Sequence, residues 1–441
     1  MATLRIGKKK LFTISMEEGE LESEVEVTEP PEGYEENENE VVETANELDQ
    51  STTDLDAGLG EMEDLGVVKD QAIKAVEDGD GFSEREAKMA EVSLEGIYER
   101  LSYKIPSRRP SLEDYGSKNT RLETTKKFVL SLEADEKSLW ERFKAFCAKI
   151  KAMIIELWKT VTDQLHRVEK WANDLEKAAG SLGSKAAKSQ TIKNSSVANA
   201  FCYYGKNIKG SSVVDQLGYQ DTLTTNVLGK YEEVLDNIFQ ITNTEIFAPD
   251  NAEKIDPERY KAKLAEAITS GLNKMSSDRV KKDGENWIAG PFINNRSIVF
   301  SPTIKGKITT TWEEFNKKKP EVAEELPILS ADEMKAICQE VKKLCSTTVT
   351  AKKTIDEFGK KIDEINARGS ELSKETKSKE EGGWVAKKNK VINEAQSYLT
   401  VNINGMNKIA NGIPSLNVQA MNKALVYVKS SLDGYSEPKA N

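Results

Sequence analysis

From residue 83 onward the apolar residues recur mainly at intervals of three and four, the spacing of one helix face, and the longest sustained run begins near Ser138. Ser138 and Glu141 have capping-box spacing. Phe143, Phe146, Ile150, Met153, Leu157, Val161, Leu165, Val168, Trp171 and Leu175 follow as a heptad-like seam that Gly180 closes. The spacing predicts a helix over 139–179, about 60 Å long at 1.5 Å per residue. Trp140, Ile154 and Trp158 widen the stripe, so the expected setting is a bundle of several helices rather than a two-stranded seam.

Shorter segments keep the same rhythm. Ser83 and Glu86 form another capping box ahead of Met89, Val92, Ile97 and Leu101, and Pro106 and Pro110 stop that helix. From Pro110 to Glu136 the pattern is loose and polar, with one extended-looking run at Phe128, Val129 and Leu130, and it reads as a linker. Beyond a Gly/Ser/Lys-rich connection at 180–193, helices are expected at about 195–205, 213–246 and 257–275, punctuated by Pro249 and Pro257. β-branched and aromatic residues interrupt the helical rhythm at Trp287 to Ile293, Ser297 to Phe300 and Ile304 to Thr311. With a turn at Asn294 and Asn295, they predict a small antiparallel β unit. Ser330 and Glu333 then cap a helix running to about Arg368, and two further helices are expected at 384–411 and 415–433.

Composition divides the chain. Residues 17–64 are mostly Glu, Asp, Thr, Asn, Gly and Pro, too little apolar material for a core, so residues 1–82 are expected to form an acidic disordered tail dispensable for folding of residues 138–441. The 441 residues include 74 acidic and 63 basic side chains, a net charge of −11. Residues 1–133 hold 33 acidic and 16 basic, the remainder 41 and 47, so the two parts carry −17 and +6. The expected layout is the tail at 1–82, a short helix and linker at 83–133, a helical body at 134–280, the β unit at 281–320 and a C-terminal helical region at 321–441. The fold class is therefore mainly α, a long-helix bundle with a small antiparallel β unit behind an acidic disordered segment.

Chemistry is sparse. A single histidine, His166, excludes His-based zinc clusters and leaves no imidazole pair for a metal, and no nucleophile is matched with a base. Cys147, Cys202, Cys338 and Cys345 have no CxxC spacing. Cys338 and Cys345 stand seven apart on one helix face, as small core residues do. Four cysteines in so long a chain make no disulfide scaffold, and no uncharged run could span a bilayer. No catalytic residue, cofactor or metal ligand is expected.

One short repeat stands out: Ser-Leu-Glu at Ser93–Glu95, Ser111–Glu113 and Ser131–Glu133, inside one 41-residue window. The looser Ser-any-Glu pattern carries no weight, since it also occurs at Ser15–Glu17, Ser373–Glu375 and Ser378–Glu380. Ser followed by Glu is common at helix starts, which is the alternative meaning of the repeat. Its third copy lies where charge changes sign and, by the reading above, in a linker ahead of a helix cap. A protease needs an extended substrate there, whereas Ser93–Glu95 is expected on a helix.

The stretch from Ser93 to about Trp158, reading SLEGIYERL, PSLEDYG, TRLETTKKFVLSLE and SLWERFKAFCAKIKAMIIELW, resembles the internal head (prohead core or inner-body) proteins of giant tailed bacteriophages of the phiKZ-like type. The resemblance implies a precursor packed in the prohead and cut by the phage maturation protease after Glu in a small-residue, any, Glu pattern, with the propeptide discarded. Ser131, Leu132 and Glu133 fall on the three positions before the cut and Ala134 on the first after it. Glu95 and Glu113 match as additional sites. The implied partners are the maturation protease and other head proteins, and the implied location is the inside of the phage head, after assembly in the host cytoplasm.

Losing an acidic propeptide would turn a chain of −11 into a body of +6, able to lie against packaged DNA nonspecifically and open to ejection with it. The runner-up is an unprocessed coiled-coil scaffold or adaptor that self-associates through the 143–175 seam. A membrane-surface helix carrying Lys144, Lys149, Lys151, Trp140 and Trp158 ranks below both, because amphipathic stripes of this kind mostly face a core.

Overall fold

The computed structural model describes residues 30–31, 34–101, 117–183, 185–247, 256–318, 320–377 and 383–435. Within them the chain is mainly helical with a small four-stranded antiparallel sheet, as its periodicities predict. The helices are α1 (Tyr34–Glu77), α2 (Glu84–Arg100), α3 (Lys118–Gly180), α4 (Ser195–Ala200), α5 (Gly210–Thr242), α6 (Pro257–Met275), α7 (Ala331–Lys377) and α8 (Gly383–Asp433).

The capping chemistry explains several of these boundaries. Ser83 and Glu86 make the reciprocal capping box at the start of α2, and Ser330 and Glu333 make one ahead of α7. Pro257 stands at the first turn of α6, where Asp256 accepts from the Glu258 and Arg259 amides. The third expected box, at Ser138, starts nothing. The long helix begins instead at Lys118, with Ser117 accepting from the Thr120 amide at 3.3 Å, and runs unbroken to Gly180. The stretch read as a linker from 117 on is therefore helix, and Phe128 and Leu132 are buried along it.

A larger correction concerns the acidic segment. Residues 34–77, expected to be disordered, form the 44-residue helix α1. Val41, Ala45, Leu48, Leu55 and Leu59 are buried at intervals of three, four and seven, enough to seat one face although 14 of the 44 residues are acidic. Val41, Ala45, Leu48 and Leu55 belong to the same continuous core as α3, α5, α7 and α8, so α1 is part of the packed body rather than a dispensable tail.

α8 is the axis of that body. It packs on α1, α3, α5, α7 and the sheet, so polar residues that would ordinarily face water are enclosed. Asn417 shows how they are satisfied: it donates to Thr224 of α5 at 2.9 Å and Thr348 of α7 at 3.0 Å, and accepts from Gln220 at 2.9 Å. A fully paired buried amide fixes the register of three helices against each other. α8 also runs through Pro414, where two helices were expected. Gly412 allows Trp312 to lie against the turn before the proline, and the Trp312 indole N–H donates to the Lys408 carbonyl at 3.1 Å. The surrounding packing holds the two halves in line where Pro alone would end the helix.

The sheet comprises β2 (Val280–Asp283), β3 (Asn286–Phe292), β4 (Arg296–Pro302) and β5 (Ile308–Glu314) in that order, antiparallel throughout. Trp287 opposes Phe300, and Ile298 opposes Trp312. Asn294 and Asn295 turn the chain with φ of 60° and 59°, a region Asn tolerates better than most residues. A further pair, β1 (Thr191–Ile192) with β6 (Leu326–Pro327), is too short to leave a periodic signal.

Candidate processing site

The three Ser-Leu-Glu copies fare differently. Ser111–Glu113 lies outside the described residues. The other two are helical. Ser93, Leu94 and Glu95 sit in α2, with Leu94 fully buried and Ser93 and Glu95 exposed. Ser131, Leu132, Glu133 and Ala134 sit inside α3, with Leu132 fully buried, Ser131 half-buried and Glu133 and Ala134 exposed. In both copies the central leucine is a core residue of one satellite cluster, which joins Leu65, Val68 and Ala72 of α1 to Ala87, Leu94, Ile97 and Tyr98 of α2 and Phe128, Leu132 and Leu139 of α3.

Polar contacts tie the same cluster. The Ser131 hydroxyl donates to the Phe128 carbonyl at 2.8 Å, an in-helix bond. Tyr98 donates to the Asp135 carboxylate at 2.9 Å within the buried layer, and Thr125 accepts from the Phe82 amide at 2.9 Å. The bond after Glu133 is thus flanked by a solvent-facing carboxylate and methyl group but anchored through Leu132. A protease groove that takes its substrate extended can engage this bond only after about two turns of α3 unwind. The expectation of an accessible linker is corrected on this point: the bond lies inside a continuous helix.

The expected face of α2 is corrected: Met89 and Val92 are exposed, and Ala87, Ala90 and Leu94 take the inner side with Ile97 and Tyr98. Along α3 from Ile150 on, most of the expected seam is buried. Ile150, Leu157, Val161, Leu165, Val168, Trp171 and Leu175 are buried in the main core, and Ile154 and Trp158 join them, whereas Ile155 and Lys149 are exposed and the side chains of Trp140, Phe143 and Lys144 lie outside the described residues. Lys151 pairs with Asp363 of α7. Cys202, Cys338 and Cys345 are buried and Cys147 half-buried. Burial pushes the Cys147 thiol up to about 11 and the Cys338 and Cys345 thiols up to about 12, so none is a thiolate near neutrality.

Among the described residues no group of three His, Cys, Asp or Glu side chains is placed to hold a metal ion, and no helix is long and apolar enough to cross a membrane.

A set of contacts absent from the sequence reading links α1 to the body. Both oxygens of Asp56 are engaged by α8: Lys408 donates at 2.7 Å and Asn404 at 2.6 Å. Asn404 also donates to the Thr52 carbonyl at 2.6 Å. Two turns further on, Glu63 meets Lys307 of the β4–β5 connection and accepts from Ser397 of α8 at 3.2 Å. Asp56 and Glu63 stand seven apart, the spacing of one helix face, which is the signal that could have marked them.

Residues 24–430 match the family of phiKZ-like phage internal head proteins. Neither curated proteins nor solved structures give a match.

Proposed function

Because the chain belongs to the phiKZ-like phage internal head proteins, a virion structural component inside the phage head, we propose that it is made as a precursor and cut between Glu133 and Ala134 by the phage maturation protease. The observation that carries this reading is the Ser-Leu-Glu copy at Ser131–Glu133, standing where a part of −17 meets a part of +6. Severing the chain there frees the basic body from its covalent tie to the acidic part. The body then lies among other head proteins and against packaged DNA through nonspecific phosphate contacts, and leaves with the genome.

The helical setting gives the proposal a mechanism. Opening α3 around the bond exposes Leu132, about 2 kcal/mol of lost burial, together with several helix hydrogen bonds. The folded chain therefore resists the cut until the satellite cluster loosens, and cleavage follows the population of the opened form. A pocket that accepts Glu before the cut must neutralise its carboxylate, so Glu133→Gln blocks cleavage with almost no change of volume. Ser131→Trp blocks it by size, whereas Leu132→Ala is still cut and, by loosening the cluster, is cut faster. Particles assembled with each variant and sized by denaturing electrophoresis test this. Equal processing of wild type and Glu133→Gln would overturn it.

A second reading is favoured by one observation, the continuity of α3 through the bond. In it the chain is an unprocessed scaffold whose long helix spans both charge regions and which keeps its full length in mature heads.

A further inference from the structure

Helix α1 lies on the body as a bound ligand would. Of its 44 residues 14 are acidic and two basic, and its inner face carries Val41, Leu48 and Leu55 into the core that α3 and α8 provide. At the edge of that face the half-buried Asp56 receives Lys408 and Asn404, and Glu63, on the exposed rim, receives Lys307 and Ser397. Lys408 is only 4% exposed and has its anion from α1, so the pair is built into the seat rather than scattered on its rim.

From this arrangement we propose that the groove between α3 and α8 is a receptor for an acidic amphipathic helix with two carboxylates seven residues apart, and that α1 stays in it as a non-covalent subunit when the chain connecting it to the body is cut.

The argument is one of complementarity on two counts. The apolar side chains of α1 and the groove would both return to water on separation, and a cut removes none of those contacts. Separation would also break the bonds that Lys408 and Asn404 make to Asp56, and a cut in the connecting chain removes neither. What a cut does remove is the high effective concentration of a tethered helix. α1 then exchanges with any other helix of the same chemistry, which makes the groove a docking point for acidic head-protein helices. The consequence for maturation rests on the proposed cleavage: severing the bond after Glu133 does not by itself discard the acidic segment. The docking does not rest on it, and the test leaves Glu133 intact.

A recognition sequence for a specific protease is inserted after Gly79, in the exposed turn between α1 and α2 and in open space, and the otherwise full chain is nicked there. At 0.15 M salt the fragment ending in α1 is expected to co-elute with the remainder in size-exclusion chromatography. Excess synthetic 34–77 peptide should displace a fluorescent fragment, and the same peptide with Asp56→Asn and Glu63→Gln should need at least tenfold more. Glu43→Gln and Glu47→Gln, on the exposed side, serve as the charge control and should displace as well as wild type. Elution of the wild-type fragment apart from a still helical remainder overturns the proposal, as does equal displacement by the Asp56→Asn, Glu63→Gln peptide and its control. Failure of Glu133 cleavage in particles affects neither result.

Discussion

Removing one partner of the Asp56–Lys408 pair should loosen α1 selectively, and unequally according to which partner goes. The Lys408 side chain is 5% exposed and that of Asp56 27%. Asp56→Ala leaves the ammonium in the groove with no anion. Orphaning a fully buried charge costs about 3–5 kcal/mol. Because Asp56 sits at the groove edge and water enters the space it vacates, the lower end applies, about 3 kcal/mol. Lys408→Met keeps the stem volume and removes the charge, leaving Asp56 with the Asn404 donor and water, a loss of about 1 kcal/mol. The double variant lacks the orphaned ammonium and should be more stable than Asp56→Ala alone, a coupling of about 2 kcal/mol. Hydrogen exchange at the amides of residues 48–60 in the full chain at pH 7 reads this directly, since about 3 kcal/mol corresponds to roughly 150-fold faster exchange. Acceleration of less than about threefold in Asp56→Ala, or a double variant exchanging as fast as that single one, would refute the assignment of Lys408 as a buried, α1-dependent cation.

Three further outcomes follow from the packing. Ile150→Asp puts a charge into the main core and should destabilise by about 3 kcal/mol or more in urea denaturation, whereas Lys149→Asp, on the exposed side of the same helix, should change little; equal effects would misplace the seam. Thiol titration at pH 8 should find Cys202, Cys338 and Cys345 unreactive until the chain unfolds, with Cys147 reacting slowly, and rapid reaction of all four in the native protein contradicts the core assignment. Glu176 accepts from Lys342 at 2.6 Å and Gln339 at 3.0 Å, and these bonds hold its carboxyl below the ordinary 4.5. The α3–α7 stabilisation they supply is present above pH 4.5 and is lost as pH falls through the depressed folded value, so acid should destabilise the wild type more than Glu176→Gln; parallel acid transitions would remove Glu176 from that role.

Helix α6, the α2 and α7 caps, the Gly180 stop and the Asn294–Asn295 turn were legible because each rests on a local rule that nothing distant overrides. The two main differences came from weighting composition above period. In α1 the sevens of Val41, Leu48 and Leu55 were present, with Ala45 between them and Leu59 one turn beyond, but 14 acidic residues and few aromatics imitate a chain that cannot fold. What changes the outcome is a partner surface: α3 and α8 supply the apolar area that α1 lacks, and no property of residues 34–77 alone reveals it. In α3, Phe128, Val129 and Leu130 look extended in isolation, yet Phe128, Leu132 and Leu139 take the inner face at helical spacing, while Leu130 is exposed. The same packing buries the central leucine of both described Ser-Leu-Glu copies, and the proposed cut after Glu133 requires local unwinding of α3. Lys408 and Asn404 were invisible because a lysine in a sequence does not announce that its carboxylate lies some 350 residues earlier.

Cleavage after Glu133 is tested most directly by the N-termini present in purified mature heads. Amines are labelled before digestion, and the protein is then cut after arginine only. An intact chain yields the peptide Leu122–Arg142. A chain processed as proposed yields a labelled peptide beginning at Ala134 and ending at Arg142, with Leu122–Arg142 nearly lost relative to proheads in which the protease is inactive. Abundant Leu122–Arg142 in mature heads, with no labelled Ala134, would contradict the account and leave the unprocessed scaffold.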